Sequence, residues 1–227
     1  MKAFVVGFPK SGTTSIDKAL AASGMRSAHW KTTKGYVGQI IYRNLFAGID
    51  PLAGLENFAA ITQADVCLPK EKLNFWPNLD FAVLRQIRRY HPECVFILNY
   101  REPRLTADSI RRWGDLRQRI KQSDIPGLPA GYGGNDEQLI TWIENHFAAV
   151  RHFFKDDPKF LELDIAAADA PYKLGDALGV ELKWWGKANI NQVKPIDGGP
   201  AMGTGAVAAA TGVETFELKP RSAAPAA

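Results

Sequence analysis

Eight consecutive residues, Gly7-Phe8-Pro9-Lys10-Ser11-Gly12-Thr13-Thr14, constrain this chain more than any other stretch. The apolar run 3–6 precedes them. The segment 13–23 follows, with Ile16, Ala19 and Leu20 at helical spacing and Gly24 as its stop. The run reads as a short buried strand and the segment as a helix. Gly7 and Gly12 permit a tight turn between the two. A strand, a glycine-containing turn and a helix aim backbone N–H groups and a helix N-terminus at one point, which is the arrangement that holds a phosphate. Thr13 and Thr14 add hydroxyl donors and Lys10 adds a cation. A fortuitous Gly/Ser turn is the bland alternative, but the flanks, the lysine and both threonines together favour an anion site.

The rest of the chain alternates strand and helix signals. Strands are expected at 26–30, 60–66, 94–100 and 159–163, and the run CVFILNY at 94–100 is the clearest buried strand. Helices are expected at 37–46, 79–90, from about Pro103, at 137–154 and near 172–178. Residues 111–121 interleave Arg and Lys with Trp113, Leu116 and Ile120, the pattern of an amphipathic helix with a solvated face. Loops are expected at 48–55 and 127–135. This alternation predicts an α/β fold: a three-layer sandwich with a central, mainly parallel sheet and helices on both faces. Ligands of such folds bind at the carboxyl ends of the strands. Residues 1–196 form one domain in this reading, and the Ala/Gly/Pro-rich residues 197–227 form a largely disordered tail.

Composition narrows the function classes. The net charge of +4 suits an anionic ligand, yet no long Lys/Arg block argues for nucleic acid. Cys67 and Cys94 form no CxxC pair, so neither zinc nor redox chemistry is suggested, and both read as reduced core thiols. No apolar run approaches the ~20 residues needed to span a bilayer. The run 3–6 is too short for a signal peptide and stops at Gly7 and Pro9. A cytoplasmic location is the default expectation. No metal-ligand cluster is visible.

The loop departs from the ATP-binding pattern in which a lysine follows the last glycine. Here Thr13 follows Gly12, and the lysine sits earlier, at Lys10. A lysine within the loop lies against the terminal group of a 5′-linked phosphate and is less suited to a β/γ-phosphate grip. Pro9-Lys10-Ser11-Gly12-Thr13-Thr14 resembles the 5′-phosphosulfate loop of the P-loop sulfotransferases, which use 3′-phosphoadenosine 5′-phosphosulfate. A second segment is similar to the family's 3′-phosphate anchor. Arg101 ends the strand at 94–100, Pro103 follows, and Ser109 stands eight residues after Arg101 on the next helix, ahead of Trp113. The resemblance is strong over the first half and weak beyond it. Residues 160–164 and 174–178 look like the late strand and helix of bacterial members, and 187–191 resemble their Asn-containing loop near the nucleotide. Ser15 stands where the family usually has an aromatic or similar side chain. The Arg-Lys-Gly motif of cytosolic members is absent, which places the chain nearer the bacterial and carbohydrate-type branches.

The resemblance implies a P-loop fold and transfer of a sulfuryl group to a hydroxyl or amine of a carbohydrate, lipid or small molecule. It leaves 3′,5′-diphosphoadenosine as product and requires no metal. It implies that Pro9, Lys10, Ser11, Gly12, Thr13 and Thr14 hold the 5′ end, that Arg101 and Ser109 hold the 3′-phosphate, and that Lys10 neutralises the leaving phosphate. A general base is needed as well. His29, at the carboxyl edge of the second strand, is the leading candidate and Asp65, near the end of the third, is the alternative. Bland roles stand beside these: His29 as a structural histidine, Arg101 in a surface ion pair with Glu102 or Asp108, Ser109 as a neutral helix hydroxyl. His91 reads as a helix-end residue, and His146 and His152 do not read as a metal pair. Trp30, Tyr36, Phe75, Trp76 and Trp113 could line an acceptor pocket, although core packing explains most aromatics. The competing readings are a Mg·ATP-dependent small-molecule kinase, a nucleotide-binding module without chemistry, and nucleic-acid binding. Oligomeric state is not legible.

Overall fold

In the computed structural model, which describes residues 1–188, 213–216 and 218, the sheet is built around two strands that carry apolar side chains on both faces. They are β1 (Ala3–Val5) and β8 (Val95–Tyr100). Phe4, Phe96 and Leu98 enter one core, while Ala3, Val5, Val95 and Ile97 enter the other. A strand buried on both sides must be apolar almost throughout, which is why CVFILNY is so legible.

The elements follow in order: α1 (Thr13–Ala22), β2 (Ser27–His29), β3 (Lys31–Thr32), β4 (Gly35–Tyr36), α2 (Val37–Phe46), β5 (Ala60–Gln63), β6 (Val66–Leu68), β7 (Leu73–Phe75), α3 (Phe81–Tyr90), β8, α4 (Pro103–Arg111), α5 (Leu116–Lys121), α6 (Asp136–Phe153), β9 (Phe160–Asp164), α7 (Ala170–Leu178), β10 (Trp185–Ala188) and β11 (Val213–Phe216). The main sheet has the order β4-β3-β2-β5-β1-β8-β9. β2, β5, β1, β8 and β9 run parallel. The antiparallel β3–β4 pair extends the β2 edge. Helices cover both faces. Ile16, Ala19 and Leu20 of α1 pack with Leu174 and Leu178 of α7 on one side. The apolar stripes of α2 to α6 pack on the other. The result is an α/β arrangement of three layers.

The connections place the site. The chain leaves β1, passes over β5 to form β2, returns to β5, then crosses β1 to form β8. The strand order therefore reverses around β1. Loops leaving the carboxyl ends of β1 and β8 meet at that switch point, the place where open α/β sheets bind ligands. Side-chain caps fix several helix starts. Asp80 accepts from Ala82 and Val83 N–H, Glu102 from Arg104 and Leu105, and Asn135 from Gln138.

Two expectations need correction. Residues 111–121 are not one helix, because α4 ends at Arg111 and Gly114, at φ 51°, redirects the chain before α5. The expected strand 60–66 is two elements. β5 stops at Gln63, the chain turns at Asp65, and β6 starts an antiparallel hairpin with β7. The two hairpins have strands of only two or three residues, too short to show a period. The expected tail at 197–227 lies outside the described residues except for Leu218 and for β11, which pairs antiparallel with β10. Asn189 and Asn191 also lie outside them. Among the described residues no helix is long and apolar enough to cross a membrane.

The left-handed turn at Gly114 has open space where a Cβ would stand, so backbone conformation alone decides a substitution there. Gly114→Ala is expected to cost about 1–2 kcal/mol, the penalty of a non-glycine residue in that region. A urea denaturation midpoint that falls with an unchanged slope checks it. A midpoint that rises would mean that alanine simply joins α4 to α5.

Candidate functional site

The loop between β1 and α1 is clamped from beneath. Asn99, buried in β8, donates from Nδ2 to the carbonyls of Ser11 at 2.8 Å and Phe8 at 3.4 Å. Asn78 Nδ2 donates to the Gly7 carbonyl at 2.8 Å. The backbone passes so near Asn99 that a Cβ on Gly7 would stand 2.1 Å from Asn99 Oδ1. His146 Nε2 lies 2.8 Å from the Val6 carbonyl. A carbonyl only accepts, so Nε2 carries the proton, and burial pushes this ring down to about 4. His146 is thus a neutral structural donor. Phe8 packs edge-on against Trp142, His146 and Phe147, and Pro9 is buried beside it.

Above this base the loop turns through two left-handed residues, Lys10 at φ 67° and Gly12 at φ 81°. Thr13 opens α1, whose N-terminus has no side-chain cap. The first-turn N–H groups have no partner within the helix and carry its positive dipole end. The loop hydroxyls are tied to neighbouring strands and to α4. Ser11 Oγ lies 3.4 Å from Thr106 Oγ1. Thr13 Oγ1 donates to Gln63 Oε1 at 3.3 Å, and Gln63 Nε2 donates to Asp65 Oδ2 at 3.0 Å. Thr14 Oγ1 lies 3.5 Å from His29 Nε2. Ser15 Oγ accepts from Ala188 N–H at 3.0 Å and so links α1 to β10.

Cations gather at the mouth. Lys10 Nζ stands 3.3 Å from the centroid of the Trp113 ring. Arg101 Nη1 donates to the Lys10 carbonyl at 2.7 Å. Burial, helped by the charges of Arg101 and then Arg112, pushes the Lys10 ammonium down to about 7. Burial also lowers Arg101, with Arg112 adding to the effect and Asp108 and Glu102 opposing it. The suggested ion-pair partners of Arg101 are engaged elsewhere. Glu102 caps α4, and Asp108 pairs with Arg111 and Arg112, each at 2.6 Å. Arg101 grips the loop. Ser109 is 4% exposed, two turns along α4 from that arginine.

The two candidate bases differ in their contacts. His29 touches the loop through Thr14, and its Nδ1 lies 3.0 Å from Thr62 Oγ1. Burial lowers its pKa and Asp17 works against that shift. Asp65 is buried, is raised to about 7 by that burial, and meets the loop through Gln63. Of the aromatics, Trp76 is core at 1% exposed, Trp30 packs on Tyr36, and Phe75 packs on Tyr42. Trp113 takes the Lys10 ammonium on its ring face. His91 caps α3 and pairs with Asp50. A cavity of about 400 Å³ beside α2, walled by Tyr42, Phe46 and Phe75, includes none of the loop residues. Among the described residues no three His, Cys, Asp or Glu side chains gather to hold a metal ion.

Sequence reasoning missed Asn99, Arg112, Thr62 and Gln63. Asn99 had a signal, because a carboxamide inside an otherwise apolar strand needs a reason. The other three had none. No family model matches the chain, and no curated protein matches it.

Lys10 combines backbone strain with a half-buried charge. Glycine relieves both, so Lys10→Gly is expected to raise stability by roughly 1 kcal/mol while weakening anion affinity. Chemical denaturation and phosphate titration of the same sample measure the two effects. A fall in stability would show that the Trp113 contact outweighs the strain.

Proposed function

We propose that this chain is a sulfotransferase that moves a sulfuryl group from 3′-phosphoadenosine 5′-phosphosulfate to a hydroxyl or amine acceptor. The observation that carries the reading is the cationic mouth of the loop. At the uncapped N-terminus of α1, Arg101 grips the Lys10 carbonyl and the Lys10 ammonium lies over Trp113, where burial, helped by the charges of Arg101 and then Arg112, pushes it down to about 7. Such a cluster is relieved by an anion, and a ligand with phosphates at both 5′ and 3′ positions fits its two parts. The position of Lys10 within the loop, together with Arg101 and Ser109 at their spacing, favours this donor over a nucleoside triphosphate.

Each residue then has a role. The N–H groups of Ser11 to Thr14 cradle the 5′ end, with Lys10 beside the oxygen that leaves sulfur. Arg101 has five N–H donors. One holds the Lys10 carbonyl, and others face the 3′-phosphate with Ser109. The acceptor oxygen or nitrogen bonds to sulfur as the sulfur–oxygen bond to the 5′-phosphate breaks. Charge develops on the sulfuryl oxygens and the leaving phosphate, where fixed donors stabilise it most. His29 takes the acceptor's proton. The acceptor is a carbohydrate, lipid or small molecule.

Calorimetric titration with 3′,5′-diphosphoadenosine, with Mg·ATP in parallel, tests the reading. The diphosphate is expected to bind without metal. Arg101→Ala is expected to weaken it by about 10- to 100-fold, the loss of a charge-assisted contact, and Lys10→Ala to abolish transfer. The pH dependence has a definite sign. Lys10 titrates near 7 in the free site, and a bound dianion raises that value. Binding takes up a proton above pH 7, so affinity falls as pH rises, by up to about tenfold per unit. Preference for Mg·ATP, or unchanged affinity in Arg101→Ala, would sink the proposal.

A further inference from the structure

Behind His29 lies a chain of polar groups that runs through the interface of α1, β2 and β5. Asp17 and Thr14 stand three residues apart on α1 and so share a face. Asp17 Oδ1 accepts from Ser27 Oγ at 2.5 Å and from Thr62 Oγ1 at 3.3 Å. Thr62 is 0% exposed. Its hydroxyl oxygen lies 3.0 Å from His29 Nδ1 and 3.4 Å from the Ala28 carbonyl. On the other side of the imidazole, Nε2 lies 3.5 Å from Thr14 Oγ1.

The chemistry of these partners fixes a proton. The Thr62 hydroxyl has one hydrogen and three neighbours. Two of them, the Asp17 carboxylate and the Ala28 carbonyl, only accept. If the hydrogen went to His29 Nδ1, Thr62 would press a lone pair against both acceptors. With the hydrogen toward Asp17 or Ala28, the hydroxyl offers a lone pair to Nδ1, and Nδ1 must be the donor. The neutral ring then carries its proton on Nδ1 and leaves Nε2 bare, facing the loop.

We propose that Thr62 and Asp17 are positioning residues that hold His29 as its Nδ1–H tautomer, with Nε2 as the proton-accepting atom. The catalytic part of this inference rests on the sulfuryl-transfer reading; the tautomer does not. In the transfer step the acceptor's O–H or N–H proton passes to Nε2 as its heavy atom bonds to sulfur. The electron pair of the breaking sulfur–oxygen bond leaves on the 5′-phosphate. The imidazolium so formed keeps its Nδ1–H on Thr62, whose own hydrogen reaches the Asp17 carboxylate. The carboxylate thus steadies the new charge through one hydroxyl. Before an acceptor arrives, the Thr14 hydroxyl can donate to the same Nε2.

Long-range proton–nitrogen NMR on the full chain with 15N-labelled histidine reads the tautomer directly. Signals of His29 are assigned by their loss in His29→Gln. The wild type is expected to show a pyrrole-type Nδ1 and a pyridine-type Nε2. Thr62→Val, which keeps the shape and removes the hydroxyl, is expected to lose that preference, and Thr62→Ser to retain it. In the transfer assay Thr62→Val should lower kcat by roughly tenfold or more while the donor KM stays within about twofold, with rescue in Thr62→Ser. A protonated Nε2 in the neutral wild-type ring overturns the proposal, as does a Thr62→Val spectrum identical to wild type. Should Thr62→Val fail to fold, the wild-type spectrum still decides. The expected tautomer without transfer to any acceptor would instead remove the sulfotransferase reading and leave the positioning chain standing.

Discussion

The carboxamide of Asn99 holds the loop that the rest of the site depends on. It sits in β8, buried on every side, and spends its N–H groups on the Ser11 and Phe8 carbonyls. Those two bonds fix where the chain turns and so where Lys10 and the start of α1 point. The arrangement has a cost. Among the described residues Asn99 Oδ1 is buried with no hydrogen-bond partner, a penalty of about 1–3 kcal/mol for a polar atom so placed. Gly7 is required beside it, since any side chain would collide with that oxygen. One polar residue in an apolar strand thus sets both the loop path and the identity of the first glycine.

From that anchor the electrostatics follow. The loop carbonyl at Lys10 points toward Arg101, which closes the mouth by gripping it. The Lys10 side chain rests on the face of Trp113, whose ring offers negative potential without a full charge. Nearby acids are committed: Glu102 to the N-terminus of α4, Asp108 to two other arginines. The cationic excess is therefore local. It arises from how the acids are used and not from the modest net charge of the chain.

Much of this was legible because it rests on local patterns. The doubly buried strand β8, the Gly7–Thr14 turn, the start of α4 at Pro103 and the apolar stripe of α6 each declare themselves within a few residues. The failures share a different cause. The break at Gly114 lies inside an amphipathic pattern that continues across it, so periodicity merged α4 with α5. The hairpins β3–β4 and β6–β7 are too short to show a period. Thr62 and Gln63 serve the site only because β5 lies between β1 and β2, and strand order is a long-range property that no window of sequence carries. Trp113 was visible as an aromatic, but its contact with Lys10 depends on the turn that follows α4.

Strain and unbalanced charge fall together in this protein. Lys10 occupies a left-handed conformation, its ammonium is partly desolvated, and two arginines act on it. Each feature taken alone is ordinary, and a mutation at each could relieve it at little cost to packing. Glycine at position 10 would accept the turn, and an acid near Arg112 would balance the charge. Relief at any one of them would also remove a donor or a charge from the same small volume at the mouth of the α1 N-terminus. Sites built for stability spread such costs over a structure, whereas a site built to receive an anion must leave its donors and charges unmet until the anion arrives. The convergence of these costs on one loop therefore argues for a ligand there more strongly than the glycine pattern does.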